Sequence, residues 1–235
     1  MSEPGPPPPP PAAGEPPGLP WERRAEHGAV AGFVDTLRRL VLEPAAAFRD
    51  AKRRGELVSP LAYAVLLAWL GVLAERTWSL LVGSSLVDLM PPEMRDAAAL
   101  GFALSGIGIA IALVVVPVVV LLGLFVYGAI LHLFLMLYGA TRNSAAGFEG
   151  TLRALAWSST AQLGQLVPFA GGLVATVWSV VLQTMALATF HRTTQGRALA
   201  AVLTPLLLCC ACFAVFFASI VALVVGGLAS AAGGP

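Results

Sequence analysis

The chain has 235 residues, of which 57% are hydrophobic and only 11% are charged. Because soluble domains are on average about one quarter charged, this composition excludes an ordinary soluble protein and indicates an integral membrane protein. The formal net charge of +1 argues against a nucleic-acid partner.

The N-terminal segment is rich in proline. Residues 1–20 hold ten of the 18 prolines, and Pro6 to Pro11 are consecutive. Such a sequence favours extended polyproline II and buries little apolar surface, so we predict a disordered tail over residues 1–20. No basic region leads into a short apolar one, and we therefore expect no cleavable signal peptide.

Residues 21–58 have the pattern of amphipathic helices. Apolar side chains recur at helical spacing over residues 28–42, and a second short helix is predicted from Pro44 to Arg54. Eight of the 14 Lys and Arg residues lie between Arg23 and Arg54, which favours an anionic membrane surface. We expect insertion at the interface by Phe33, Leu37 and Phe48, and phosphate contacts by Arg38, Arg39, Arg49, Lys52, Arg53 and Arg54.

Apolar runs of membrane-spanning length follow this segment. The predicted spans are about 60–83, 110–139 within a long helix over 97–139, 152–167, 171–190 and 199–226, and residues 229–235 form a short tail. The predicted fold is therefore an all-α transmembrane bundle of five spans, in which residues 59–228 form the membrane domain.

The uncharged stretch 97–138 could cross the membrane once or twice. As one helix its forty or so residues reach about 60 Å, which is twice the hydrocarbon core. A single crossing places twelve of the 14 basic residues on the side of the N-terminus, whereas two crossings move four arginines, from Arg142 to Arg197, to the other side. The positive-inside rule favours one crossing, with the N-terminus cytoplasmic and the C-terminus outside.

A proline and two glycines interrupt the apolar sequence LVPFAGGLVATVW. Pro168 cannot continue a helix, because it lacks an N–H group and crowds the preceding turn. Gly171 and Gly172 allow the chain to reverse and the two helices to approach closely. We predict a short turn here between antiparallel third and fourth spans.

Polar side chains follow one face of each helix beside this turn. They are Ser158, Gln162 and Gln165 in the third span and Thr176, Ser179 and Gln183 in the fourth. Amides and hydroxyls commonly link transmembrane helices, so hydrogen bonding between the spans is the favoured interpretation. The alternative is a polar pathway, as in a small permease or channel.

Glu75 and His132 are ionisable groups inside predicted spans. They could form a carboxylate–imidazole pair that relays protons. The favoured interpretation is that Glu75 reaches a loop while its neighbour Arg76 snorkels to the interface. At the end of the fourth span, His191 and Arg192 suit the unsatisfied carbonyls of a helix C-terminus as cations.

The sequence lacks the motifs of nucleotide, zinc and nucleophile sites. Cys209, Cys210 and Cys212 have no His or acid near them in sequence, so small buried side chains are favoured over a metal site. We expect no enzyme activity, no cofactor and no metal. Membrane lipids are the expected partners, protein partners or self-association are open alternatives, and no small-molecule substrate is identified.

Two blocks of the sequence resemble the Yip1 domain family. One is FVDTLRRLVLEPAAAFRDAKRRGELVSPLAYAVLL, with its Pro-x-x-x-Phe step and the Pro-Leu pair that opens the first span. The other runs from FEGTLRALAW to GRALAAVLTP, with a Thr-Leu-Arg opening, a Pro-x-x-Gly-Gly hairpin, a Trp in the next span and a His at its end.

The resemblance covers about residues 30–225 and implies a polytopic protein with five spans, in its bacterial form. Eukaryotic relatives act in vesicle trafficking and contact small GTPases, but this chain lacks the Asp-Leu-Tyr-Gly-Pro motif that they carry before the first span. We therefore expect a bacterial inner-membrane protein that organises lipids or protein partners at its cytoplasmic face.

Overall fold

The computed structural model describes residues 16–87 and 90–232, and every regular element in these ranges is helical. The predicted all-α class is confirmed, whereas residues 1–15 and 233–235 of the two predicted tails lie outside the described residues. The helices are α1 Arg24–His27, α2 Ala29–Leu42, α3 Pro44–Asp50, α4 Val58–Val87, α5 Pro92–Leu137, α6 Gly147–Ser158, α7 Gly171–Phe190 and α8 Gln195–Ala232, with a 3₁₀ segment at Ser159–Leu166 between α6 and α7.

Four helices of the described chain are long and apolar enough to cross a membrane. Their apolar parts are Val58–Val82, Val114–Leu137, Gly171–Phe190 and Gln195–Val225. The predicted first, second, fourth and fifth spans correspond to them. The integral-membrane class predicted from composition is therefore confirmed.

The difficult apolar stretch folds as one continuous helix. α5 has 46 residues, carries Pro117 in its interior and contains no turn. At 1.5 Å per residue it is about 69 Å long, more than twice the hydrocarbon core. Two antiparallel spans within residues 97–138 are therefore wrong, and the predicted long helix over 97–139 is confirmed in α5.

The predicted third span, 152–167, is not one long α-helix. The α-helical part ends at Ser158, and the chain tightens into the 3₁₀ segment. The hydroxyl of Ser158 donates to the Ala154 carbonyl at 2.7 Å, and that of Thr160 donates to the Trp157 carbonyl at 2.8 Å. Hydroxyls that bond back to carbonyls three or four residues earlier compete with regular α-helix. The change from α-helix to 3₁₀ in this segment therefore has a local cause.

Residues 16–57, here called the N-terminal cap, pack on one end of the bundle. α4 starts at the cap, where the Ser59 carbonyl accepts a hydrogen bond from Trp21 Nε1 at 2.7 Å. α7 ends there, since the ring of Phe190 meets that of Phe48 at 6.3 Å. The ends of α5 and α7 are both bonded to α6 near its start. α5 and α7 therefore run toward the cap, while α4, the α6–3₁₀ segment and α8 run away from it.

The folded part begins before the predicted boundary at residue 21. Leu19 is fully buried, and the N–H of Gly18 donates to the Asp50 carbonyl at 2.8 Å. Gly32 makes this possible, because a Cβ there would lie 2.9 Å from the carbonyl oxygen of Pro20. Residues 16–20 are thus part of the cap and not of a tail, because Leu19 is buried in the core and Pro20 lies close to α2.

The core lies where the cap meets the bundle. Aromatic rings form a chain through it, with Trp21 against Phe33, Phe33 against Tyr63, and Tyr63 against Trp157 at centroid distances of 5.7, 5.3 and 5.0 Å. By contrast, large apolar side chains are exposed on α5 from Val114, on α7, and on α8 as far as Val225. That distribution suits helices surrounded by lipid, because apolar surface is not penalised there.

Candidate functional site

Arg153 on α6 is the electrostatic centre of the junction between cap and bundle. Its side chain is fully buried, with Nη1 3.0 Å from Glu22 Oε1 and Nε 2.9 Å from Glu149 Oε1. Nη2 also donates to the Glu56 carbonyl at 2.5 Å. The planar guanidinium can hold several acceptors at once, so this one side chain ties residues on both sides of the cap to α6.

Glu22 reaches Arg153 from the start of the cap. Its Oε2 accepts hydrogen bonds from the N–H groups of Leu19 at 2.8 Å and Lys52 at 3.2 Å. Burial nevertheless raises the pKa of Glu22, since desolvation outweighs these hydrogen bonds and the attraction of Arg153. Glu22 and Arg153 therefore form a buried ion pair in which the desolvation of the carboxylate is only partly offset by its partners.

The apolar residues expected to enter a membrane interface point inward instead. Phe48 is 0% exposed and packs on Phe190, while Phe33 and Leu37 are half-buried against the core. Their expected insertion is wrong, because the face of α2 and α3 that they occupy covers the bundle. The exposed apolar side of α2 consists of Val30, Val34, Val41 and Leu42.

The six basic residues predicted to hold phosphates have different surroundings. Arg39 is bound by Asp50, with Nη2 2.5 Å from Oδ2, so its charge is already matched. Arg53 is half-buried, and the other four are exposed; these are Arg38, Arg49, Lys52 and Arg54. No ion pair of these five is found within the described residues.

A cavity of about 500 Å³ gathers three of these basic side chains with a fourth cation. Lys52, Arg53 and Arg54 line it from the segment after α3, and Arg192 lines it from the chain after α7. Burial lowers the pKa of Arg53, and the positive charge of Arg192 lowers it further. The sequence could not show this grouping, because Arg192 is about 140 residues away along the chain.

The six polar residues of the predicted third and fourth spans line one cavity of about 280 Å³ between α5, the α6–3₁₀ segment and α7. They are Ser158, Gln162, Gln165, Thr176, Ser179 and Gln183. Tyr127 of α5 closes part of it by donating a hydrogen bond to Gln183 Oε1 at 3.0 Å. Thr176 and Ser179 donate to carbonyls of their own helix. The expected bonds between the two stripes are absent from the hydrogen bonds found in the described chain.

Glu75 and His132 have separate surroundings. Glu75 is exposed and lines a third cavity, of about 430 Å³, together with Gln162 and Gln165. His132 Nδ1 lies 2.8 Å from Thr151 Oγ1 of α6. The suggested Glu75–His132 pair is therefore wrong, since tertiary packing gives His132 a partner on α6.

Thr151 joins His132 to His191. Its Oγ1 is 2.9 Å from His191 Nε2, and His191 Nδ1 is 2.9 Å from the hydroxyl of Ser144. Burial, with a smaller contribution from the neighbouring His132, lowers the pKa of His191 to about 4. The expectation of a cationic His191 at a helix end is wrong, because this side chain is buried and neutral at neutral pH.

The turn that joins the 3₁₀ segment to α7 contains Pro168, and Gly171 is the first residue of α7. The left-handed residue in it is Phe169, with φ of 60°, and not either glycine. Gly171 serves close packing, because a Cβ there would lie 3.0 Å from Gln165 Cα. Gly172 faces open space.

Sequence reasoning missed the role of Arg153 and assigned the wrong charge state to His191. Arg153 entered only as one of the four arginines that decided the topology, although Glu149 precedes it by one helical turn and offers an ion pair. His191 carried a weaker signal, because its partners Thr151 and Ser144 are distant in sequence. Both residues are buried where the cap closes the bundle.

A family model described as the Yip1 domain matches residues 38–218, which is well over half of the chain. No curated protein and no solved structure gives a significant match. The matched range begins in the last five residues of α2 and includes α3, the buried Arg153 junction, the polar cavity and most of the long apolar helices. The chain is an integral membrane protein, and it belongs to the Yip1 domain family.

Proposed function

We propose that this protein is a non-enzymatic scaffold of a bacterial inner membrane. Its N-terminal cap faces the cytoplasm and presents the outer side of α2 to protein partners at the bilayer surface. The observation that carries the proposal is an exposed apolar row on α2, in which Val30, Val34 and Val41 are 79%, 51% and 38% exposed. Their spacing places them on one face of the helix, beside the exposed Arg38.

The attachment of the cap supports a presenting role. Arg153 and Trp21 bind the cap to the bundle through buried contacts, so the outer side of α2 is held at a constant orientation to the membrane helices. A helix that served only as a membrane anchor would turn its largest apolar side chains to the lipid. Here those side chains, including Phe48, face the bundle.

The proposed topology has five crossings, with the N-terminus cytoplasmic. Twelve residues of α6 and eight of the 3₁₀ segment span about 34 Å together, which matches the hydrocarbon core. The alternating directions of α4 to α8 also support an odd number of crossings. Most basic side chains then lie on the cytoplasmic side, as the positive-inside rule requires.

The first test is photo-crosslinking in native membranes. A photoreactive phenylalanine analogue replaces Val34 or Val41 in the full chain, and adducts are identified by mass spectrometry. The matched control carries the probe at Val118, an exposed apolar position within the apolar part of α5. Reproducible protein adducts from α2, with lipid adducts alone from Val118, support the scaffold. Lipid adducts alone from all three positions refute it.

The polar cavity favours a second candidate function, a small permease or channel. All six polar residues of the two predicted spans line it, and Gln162 and Gln165 extend the polar lining to the cavity beside Glu75. The test uses single cysteines at Thr176, Ser179 and Ala68 in a chain whose three native cysteines are replaced by alanine. Labelling by a charged thiol reagent from both sides of the membrane supports a pathway, and labelling from one side or neither refutes it.

A further inference from the structure

The 500 Å³ cavity at the cap brings four cations together with two carboxylates, so positive charge is in excess there. It lies between the segment that joins α3 to α4 and the chain that follows α7. Its volume is within the range of small-ligand sites, which is about 300–1,000 Å³. Its charged lining consists of Lys52, Arg53, Arg54, Arg192, Glu22 and Glu56.

The two carboxylates in the lining are used by internal partners. Both oxygens of Glu22 accept hydrogen bonds from Arg153 or from backbone N–H groups, as described above. Glu56 accepts from the N–H of Ser59 at 2.9 Å and from its hydroxyl at 2.6 Å. Arg153 matches the charge of Glu22, and Glu56 binds Ser59 at the start of α4, so the four cations of the lining outnumber the one carboxylate charge that is left unmatched.

The arginines in the lining have no such partners. Within residues 16–87 and 90–232, Arg53, Arg54 and Arg192 form no ion pair, and the Nε of Arg53 is buried without a hydrogen-bond acceptor. Arg53 and Arg192 are close enough for each to oppose the other's charge. A buried donor without an acceptor and two like charges are both relieved by an anion between them.

The backbone holds Arg192 at this position. Its φ of 49° is left-handed, a conformation that residues other than glycine seldom adopt. The next N–H, that of Thr193, donates to the Ala188 carbonyl at 3.0 Å, so the turn that ends α7 is hydrogen-bonded. The guanidinium is thus carried by an ordered turn, opposite the segment that carries Arg53 and Arg54.

We propose that this cavity binds a phosphate group, with Arg53, Arg54 and Arg192 as its ligands and Lys52 as a further cation. Guanidinium groups suit phosphate, because their forked donors match its oxygens. The phosphate can belong to an anionic lipid headgroup or to a soluble phosphate ester. This inference deepens the proposed function and rests on its placement of the cap at a cytoplasmic, anionic surface.

The test compares two charge-matched double variants of the full chain in non-ionic detergent. R53Q/R192Q removes two cavity arginines, whereas R142Q/R197Q removes two exposed arginines that do not line the cavity. One measurement is calorimetric titration with inorganic phosphate and glycerol 3-phosphate. The other is native mass spectrometry of delipidated protein with phosphatidylglycerol or phosphatidylcholine.

We expect R53Q/R192Q to lose about tenfold or more in affinity for the phosphate probe, while R142Q/R197Q changes it by less than about twofold. Retention of phosphatidylglycerol without a response to the soluble probes assigns a lipid headgroup. A response to the soluble probes without lipid retention assigns a soluble ester. Either result supports the cavity.

Equal losses in the two double variants overturn the proposal, since they indicate general attraction to a basic surface. Absence of binding in both arms for the wild-type chain overturns it as well. These measurements use isolated protein, so they can succeed when the crosslinking test of the scaffold fails, and the two failures are distinguishable.

Both double variants should fold. Arg53 and Arg192 have no ion pair in the described chain, and their mutual repulsion is removed by the substitutions. The thermal unfolding temperature of R53Q/R192Q is therefore expected to equal or exceed that of the wild-type chain. A loss of affinity at unchanged unfolding temperature then reports on binding alone.

Discussion

Replacing Arg153 by Met should weaken the attachment of the cap to the bundle and so lower the free energy of unfolding. The substitution keeps most of the apolar volume, but it leaves Glu22 buried at 4% exposure without its cation and leaves the Glu56 carbonyl without its donor. Removal of one partner from a buried ion pair costs about 3–5 kcal/mol. We expect a loss in this range for R153M in the free energy of unfolding, measured by SDS titration in mixed micelles.

The loss should depend on pH. Burial already raises the pKa of Glu22, and R153M removes one of the interactions that lower it, so the pKa rises further in the variant. A carboxyl whose pKa is higher in the folded state binds its proton more tightly there, and the associated stability is lost as pH rises above the unfolded value. The gap between R153M and the wild type should therefore be larger at pH 8 than at pH 5.

Three comparisons give this prediction its controls. R142M removes an exposed arginine and should change stability by about 0.5 kcal/mol or less. R153K keeps the charge but not the forked donors, so it should lie between the wild type and R153M. E22Q combined with R153M should recover part of the loss, because the buried charge is gone. A loss in R153M as small as that in R142M, or one of equal size at pH 5 and pH 8, would refute this account of the junction.

Three other substitutions test the remaining parts of the structure. The folded pKa of His191 is about 4, below its ordinary value of 6.5, so the free energy of unfolding of the wild type should fall by about 2 kcal/mol from pH 7 to pH 5. H191N should remove this pH dependence. Parallel curves of unfolding free energy against pH for the two proteins would contradict the prediction. G164A should lower the free energy of unfolding by about 1–3 kcal/mol, since its Cβ would lie 2.6 Å from the backbone of the facing helix. G172A places its methyl group in open space and serves as the control. Similar unfolding temperatures for the two variants would argue against the close approach. F48A should lower the free energy of unfolding by about 3–5 kcal/mol in SDS titration, because Phe48 is buried in the core. V34A, at an exposed position, should change it little. An F48A variant as stable as the wild type would contradict the core position and favour insertion at the interface.

The apolar helices were predictable because their signal is local. A run of twenty or more apolar residues has to be helical in lipid, where each backbone group needs an intrachain partner. The continuous α5 was favoured by the distribution of arginines, and the turn at Pro168 by the proline itself. The polar stripes were found by helical spacing, and the structure brings all six residues to one cavity.

The differences from the predictions have two causes. Phe33 and Phe48 were placed at the membrane, because an amphipathic pattern shows that a helix has an apolar face and not what covers it. The cap folds back on the bundle, so that face meets Phe190 and Tyr63 instead of lipid. The third predicted span differs in its helix type for a local reason, since hydroxyls of its Ser-Ser-Thr sequence bond back to carbonyls where α-helix gives way to 3₁₀.

By itself, the sequence determined the membrane class, the family and the positions of the long helices, because hydropathy and backbone chemistry act over neighbouring residues. Tertiary structure alone decided which charges are matched. Arg153 meets Glu22 across 131 positions of sequence, and Arg53 faces Arg192 in the basic cavity. Coulomb energies depend on distance in space and on burial, and neither quantity is encoded in any short stretch of the chain.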